Sequence, residues 1–371
     1  MQQFPLTVRR SIELVGLCAV AFVISAWRDL ITPLMMAFFL AILLLPVYRF
    51  LRKRRFPEIL AITCSIILAA LVVAGVVWFF SMQVSGLVRD FPQIQENLNS
   101  HWQQLSNWIN RKTNFSGEQQ LELLRNQSNK LMENAGSVMG GAAVSLSSVF
   151  IFVGLLPIYT FLVLYYKDLL LRFTFFWFRK EDHAQVADAV KEMEVIIKSY
   201  LVGLLIQITY MTVLLGGILM IIGIKHALLI GVIFAILNLI PYIGALIGNI
   251  IGVLLTLTSS QELWPVITVL AVIAAVQFLD NNILMPRIVG GKVRINALVS
   301  LVGVVIGGML AGVAGMFLSL PVMAVLKIIF DRTEAFRHWG VVLGDERPKA
   351  SPMSFRKLTR RPRRNTTAGE G

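Results

Sequence analysis

The sequence predicts an all-α, polytopic membrane protein with about six to eight transmembrane helices, counted from apolar runs long enough to cross a bilayer. Three observations carry this. Of 371 residues, 56% are hydrophobic and only 15% are charged, against roughly a quarter charged in soluble domains. The mean hydropathy is +0.73. The apolar runs are continuous rather than alternating, and most are about 17 to 25 residues long, the length of a membrane-crossing helix and not of a barrel strand.

Arg9 and Arg10 precede the first run, Ser11 to Trp27. A cleaved signal peptide would need a small residue where Ile24 stands, and Arg28-Asp29 leads directly into a second run. This predicts an uncleaved hairpin of helices, 11–27 and 30–48, with Pro33 near the start of the second. Arg49, Arg52, Lys53, Arg54 and Arg55 follow with no acid among them. Five positive charges in a short loop place that loop, and the N-terminus with it, in the cytoplasm. The third helix, Ile59 to Phe80, therefore leads outward to a charge-balanced stretch, 82–140. There Ile94, Leu98, Leu105, Trp108 and Ile109 keep helical spacing, as do Leu121, Leu124 and Leu131, which predicts extracytoplasmic amphipathic helices.

The fourth helix, Val144 to Tyr166, returns to the cytoplasm. Phe173, Phe175, Phe176, Trp177 and Phe178, flanked by Arg172, Arg179 and Lys180, form an interfacial aromatic belt. Val186, Ala189, Val190, Met193, Ile196 and Ile197 then share one helix face, opposite Lys191, Glu192, Glu194 and Lys198. This is a juxtamembrane amphipathic helix, acting as a brace or in gating, that feeds a fifth span, Tyr200 to Ile222.

Two later runs are broken. Ala227 to Leu257 is interrupted by Asn238-Leu239-Ile240-Pro241 and then carries Gly244, Gly248 and Gly252. Each half is too short to cross alone. Folding back as a re-entrant hairpin, the run leaves both neighbouring loops in agreement with the positive-inside rule. Ile295 to Ile329 is broken around Gly307-Gly308, Gly312, Gly315 and Pro321, as two tilted spans or a second hairpin. Its small residues Gly303, Gly307, Ala311 and Gly315 let helices approach closely. Between the two lies an apolar run, Leu263 to Leu279, ending in a polar stretch: Gln277, Asp280-Asn281-Asn282, Pro286-Arg287, Gly290-Gly291-Lys292 and Arg294.

Broken segments beside intact helices are the sequence sign of a secondary transporter. The candidate solute or ion pathway is Asp280, Asn281, Asn282, Gln277 and Asn238, with Pro241 and Gly244 at the break. Side-chain oxygens and unwound carbonyls there suit a hard monovalent cation. Gly248, Gly303, Gly307, Gly308, Gly312, Gly315 and Pro321 are candidate packing and hinge positions. Asp280 either couples transport to an ion or pairs with Arg287 at the membrane surface; Asn281 and Asn282 either line the path or belong to an ordinary loop.

The expected organisation is residues 1–81, three membrane helices; 82–140, the extracytoplasmic segment; 141–199, the fourth helix and juxtamembrane helix; 200–332, the transport core; and 333–371, a basic disordered tail. That tail holds Arg356, Lys357, Arg360, Arg361, Arg363 and Arg364 between prolines, and suits an anionic lipid surface. Positive-inside bias accounts for much of the net charge of +13, so no nucleic-acid partner is expected. Cys18 and Cys64 fall inside apolar runs, as buried thiols without a disulfide or metal framework. Gly291-Lys292 is followed by Val293, which rules out a P-loop; no hydrolase elbow, zinc-protease or dinucleotide motif occurs, and the four histidines are scattered. No enzyme activity, cofactor or metal centre is expected.

The combination resembles the AI-2E family of bacterial inner-membrane proteins. The matching pieces are PLMMAFFLAILLLP from Pro33, the basic loop after it, KEMEVIIKSYLVG from Lys191, Pro241-x-x-Gly244-x-x-x-Gly248, QFLDNNILMPR from Gln277 and GGMLAGVAGMFLSLP from Gly307. Together they cover about residues 10 to 332. Asn296-Ala297 stands where many members carry a proline. The resemblance implies export of a small polar molecule such as a quorum signal, or sodium or lithium exchange for protons. It also implies homo-oligomers, a pentamer among them.

Overall fold

A computed structural model of the chain describes residues 5–89, 154–260, 262, 264–288 and 295–345, with a few isolated positions between 96 and 104. Most of the expected extracytoplasmic segment, the Gly290-to-Arg294 part of the polar stretch and the tail beyond Asp345 lie outside the described residues. The described part is helical throughout, without a strand. Five helices are long and apolar enough to cross a membrane, and a sixth candidate is a pair bent by 64°. Large apolar side chains such as Leu71, Val73 and Trp78 face outward, as lipid-facing side chains do. The chain is a multi-pass membrane protein.

Helix α1 (Leu6–Ala26) and α2 (Arg28–Lys53) share a single linking residue, Trp27. The Trp27 carbonyl still accepts from Leu30 and Ile31, and the two helices touch only where they meet. This is a kink, not the expected two-span hairpin, because antiparallel helices need about two to five loop residues to turn. Helix α3 (Glu58–Arg89) runs past Phe80. Cys18 and Cys64 are both exposed on these outer helices, not buried, because an apolar run in lipid has no need to hide its thiols. Helix α4 (Gly154–Tyr165) bends into α5 (Lys167–Phe176), which buries none of its residues and carries most of the aromatic belt.

The juxtamembrane stripe and the fifth span form one helix, α6 (His183–Met211), which continues through a π turn, Thr212–Gly216, to Ile222. Gly223, at φ 87°, closes it in the left-handed conformation that glycine tolerates.

The first broken segment gives α7 (Ala227–Leu237) and α8 (Ile243–Ser259). At about 1.5 Å per residue these rise about 16 and 26 Å, short of the roughly 30 Å hydrocarbon core. They fold back on each other. A methyl group at Gly244 would overlap the Leu237 carbonyl, one at Gly248 would lie 2.6 Å from Phe234 Cδ2, and one at Gly252 would lie 3.6 Å from Ile230 Cγ2. Residues 237, 234 and 230 thus face 244, 248 and 252 in reverse order, as in an antiparallel hairpin.

Helix α9 (Trp264–Leu279) continues through a second π turn, Asp280–Leu284, to Ile288. The last apolar block, α10 (Ala297–Arg332), reverses at Ala311 and Gly312, whose φ of 61° and ψ of −145° suit only glycine. A methyl at Gly307 would overlap the Gly315 carbonyl, and Gly303 faces Met323. The block therefore folds back on itself, as both expectations for it require. Its open end is tied by α11 (Arg337–Leu343). The Asn296 amide donates to the carbonyls of Val342 and Gly344 at 2.6 and 3.0 Å, while its oxygen caps α10 at Val299 N, 2.8 Å.

One buried cluster joins α6 to both limbs of the first hairpin and to α9 through Met211, Leu215, Ile230, Phe234 and Ile273. Another joins α2, α6 and the second hairpin through Phe39, Ile197, Leu204 and Leu318, with Leu239 from the first hairpin's tip packed against it. Both hairpins therefore converge on α6.

Candidate solute and ion site

Asp280 begins the π turn of α9 and is 1% exposed. Gln207 Nε2 donates to its Oδ2 at 2.9 Å, and Asn238 Nδ2 donates to the same oxygen at 3.3 Å. The Tyr210 hydroxyl donates to Oδ1. Gln277, one turn before Asp280 on α9, donates from Nε2 to Asn238 Oδ1 at 3.3 Å. Four polar side chains from α6, α9 and the first hairpin's tip thus surround one carboxylate.

The local geometry follows from the sequence. Gln207 and Tyr210 are three residues apart, as are Gln277 and Asp280, so each pair shares a helix face. Asn238 closes α7 where Pro241 prevents the helix from continuing. The tip is then built from its own backbone: Ile243 N donates to the Pro241 carbonyl at 2.7 Å and Gly244 N to the Ile240 carbonyl at 2.9 Å. The Pro241 carbonyl, one of those expected as ligands around Leu239 and Pro241, is thus used in holding the turn. Gly244 is needed there because its backbone lies directly against Leu237.

The electrostatics are unusual for a buried acid. All three donors to Asp280 are neutral, and none of the ion pairs among the described residues involves it. Arg287 is exposed and makes no ion pair with it, so the surface-pair alternative does not describe this geometry. A buried carboxylate without a cation is costly. Within the cluster, Gln207 Oε1 and Gln277 Oε1 are buried with no hydrogen-bond partner among the described residues. Unused acceptor oxygens beside a carboxylate can take a proton donor or a hard cation.

Asn281 and Asn282, expected beside Asp280, do not join it. Both are exposed, and Asn282 Nδ2 donates to its own helix at Phe278 O, 2.8 Å. Adjacent positions on a helix point in different directions. Gln207 and Tyr210 were not among the expected residues, although a glutamine inside the apolar run Tyr200 to Ile222 is the signal that could have found them. Gly248, Gly303, Gly307, Gly308 and Gly315 lie at the close approaches within the two hairpins, and Gly312 at the reversal. Pro321 is buried within the second limb of α10. Among the described residues, no three His, Cys, Asp or Glu side chains gather as a metal site.

The profile of the AI-2E family transporters matches residues 12–335. The chain belongs to the AI-2E transporter family. Three relatives cover nearly their whole lengths. The YrrI protein of Bacillus subtilis (strain 168), assigned to transport by a provisional name, is 24% identical over 81% of this chain and 86% of its own. The YhhT protein of Escherichia coli (strain K12), named in the same provisional way, is 26% identical over 91% of this chain and 95% of its own. The AI-2 transport protein TqsA of the same strain is 25% identical over 89% of this chain and 92% of its own. This AI-2E protein is thus a multi-pass member of a transporter family, with two hairpins converging on α6 and the tip of the first meeting a buried acid.

Proposed function

We propose that this AI-2E protein is a secondary transporter of the bacterial inner membrane, with the basic loop after α2 and the C-terminus in the cytoplasm. It exports a small hydrophilic molecule or exchanges a monovalent cation for protons, and Asp280 is its coupling group. The observation that supports this most is Asp280 itself: buried, held only by neutral donors, and in a cluster with two acceptor oxygens without partners, Gln207 Oε1 and Gln277 Oε1. Such a carboxylate invites a proton or a cation to neutralise it, and the occupant can change the hairpin-tip contact through Asn238. The two π turns, Thr212–Gly216 and Asp280–Leu284, flank the cluster, as such turns often do at functional sites. The relative named for AI-2 transport makes a small polar signal one candidate cargo. Homo-oligomers belong to the same proposal. Purified protein in proteoliposomes, given a panel of polar solutes and monovalent cations, is expected to give saturable flux that follows an imposed ion gradient. Flux that rises linearly with concentration and ignores the gradient would instead identify a passive channel, and no flux for any solute would identify a scaffold.

A further inference from the structure

Away from Asp280, a cleft of about 380 Å³ opens between α2, the α4–α5 bend, α6 and α10. Its walls are apolar, formed by Ile42, Leu45, Leu164, Met193, Ile197 and Val325. Its polar lining is Thr174 and four charged side chains, Arg49, Lys167, Asp168 and Glu194. Arg49 grips Glu194 with both terminal guanidinium nitrogens, at 2.7 and 3.2 Å. Lys167 donates to Asp168 at 3.3 Å and to the Tyr48 hydroxyl at 3.4 Å. All four remain reachable, with side-chain exposures of 57% for Arg49, 29% for Glu194, 27% for Lys167 and 76% for Asp168. Between the cleft and Gln207, α6 is packed solid by Tyr200, Leu201 and Leu204 against Phe39 and Leu318. The cleft is therefore no part of the Asp280 site.

We propose that this cleft binds one membrane phospholipid of the phosphoethanolamine class. An acyl chain fills the trough, the phosphate engages Arg49 and Lys167, and the primary ammonium engages Glu194 and Asp168. Three observations commit the site to that occupant. An apolar trough gains from an apolar guest, which a hydrophilic solute does not supply. The charged groups stand beside the basic loop that follows α2 and beside the aromatic belt of α5, residue types that mark headgroup level. The lining carries two cations and two anions, and Glu58 adds a further carboxylate 3.7 Å from Lys167, so a purely anionic headgroup would meet these acids unfavourably. A quaternary choline lacks the N–H donors those carboxylates accept.

The test incubates the full chain in detergent with equimolar phosphatidylethanolamine, phosphatidylglycerol and phosphatidylcholine of matched chains, then counts bound lipid by native mass spectrometry. The expected result is a single retained phosphatidylethanolamine, preferred about tenfold, the factor that one unmade charge-assisted hydrogen bond commands. Asp168→Asn with Glu194→Gln should erase the preference while the unfolding temperature stays near that of the parent. Leu45→Trp, which fills the trough, should lower retention of every lipid. Equal retention of the three lipids, a preference for phosphatidylglycerol, no retained lipid, or an undiminished preference in the double variant would each overturn the proposal.

Discussion

Asp280 draws its partners from two other stretches of chain, α6 and the tip of the first hairpin, and Gln207 makes the sharpest prediction. A hydrogen bond to a charged group contributes about 1.5–3 kcal/mol, or about tenfold and upward in an equilibrium. Gln207→Leu should therefore weaken the apparent affinity for the coupling ion about tenfold or more, while circular dichroism and elution volume stay unchanged. An affinity equal to the parent's would remove Gln207 from the site. Asp280, Gln277 and Asn238 were legible in the sequence because amides and an acid beside apolar helices demand a reason. Asn281 and Asn282 were legible only as polar residues; their facing depended on the π turn, which no local pattern announces. Tyr210 stayed hidden because a tyrosine among apolar residues reads as packing.

At the scale of elements, the two hairpins rest on glycines that no side chain can replace. Gly312→Ala should destabilise the chain by about 1–3 kcal/mol, the usual strain of a non-glycine residue in that backbone region. Gly307→Ala should also destabilise, since a methyl there meets the Gly315 carbonyl. Gly217→Ala is the control: nothing lies within 4 Å of its added methyl, and the exchange should stabilise slightly or change nothing. Thermal unfolding in detergent compares the three, and equal behaviour of all three would contradict the hairpin packing. The first break was readable from Pro241 and from loop charges. The second stayed open between hairpin and paired spans, because Gly307, Gly312 and Gly315 suit close packing and reversal alike. The α1–α2 kink was not readable, since Trp27-Arg28-Asp29 looks like an ordinary polar turn.

For the whole molecule, hairpin ends fix sidedness. If the loop after α2 is cytoplasmic, Ser259 is predicted to lie outside and Lys292 inside. With Cys18 and Cys64 removed, both being exposed, an impermeant thiol reagent on intact cells should label a cysteine at 259 and spare one at 292. The reverse pattern would rule out this topology. The helical class was plain from composition and run length, because a bilayer accepts few other solutions; the count was not, since the six to eight expected spans become five, or six with the bent pair, among the described residues. The meeting of hairpin tip, α6 and α9 around one acid was not, because it depends on packing between segments 42 to 73 residues apart.

Coupling through Asp280 is tested most directly by ion-driven flux in proteoliposomes of Asp280→Asn and Arg287→Gln, beside the parent and the double variant. Asp280→Asn keeps the size of the side chain and removes its charge. It should reconstitute normally yet lose ion-dependent flux, by about a hundredfold if both the charge and its hydrogen bonds act on the coupled ion, while Arg287→Gln retains most of it. Full ion-dependent flux from Asp280→Asn, or equal damage from both single variants with no further loss in the double, would contradict the account and remove Asp280 as the coupling group.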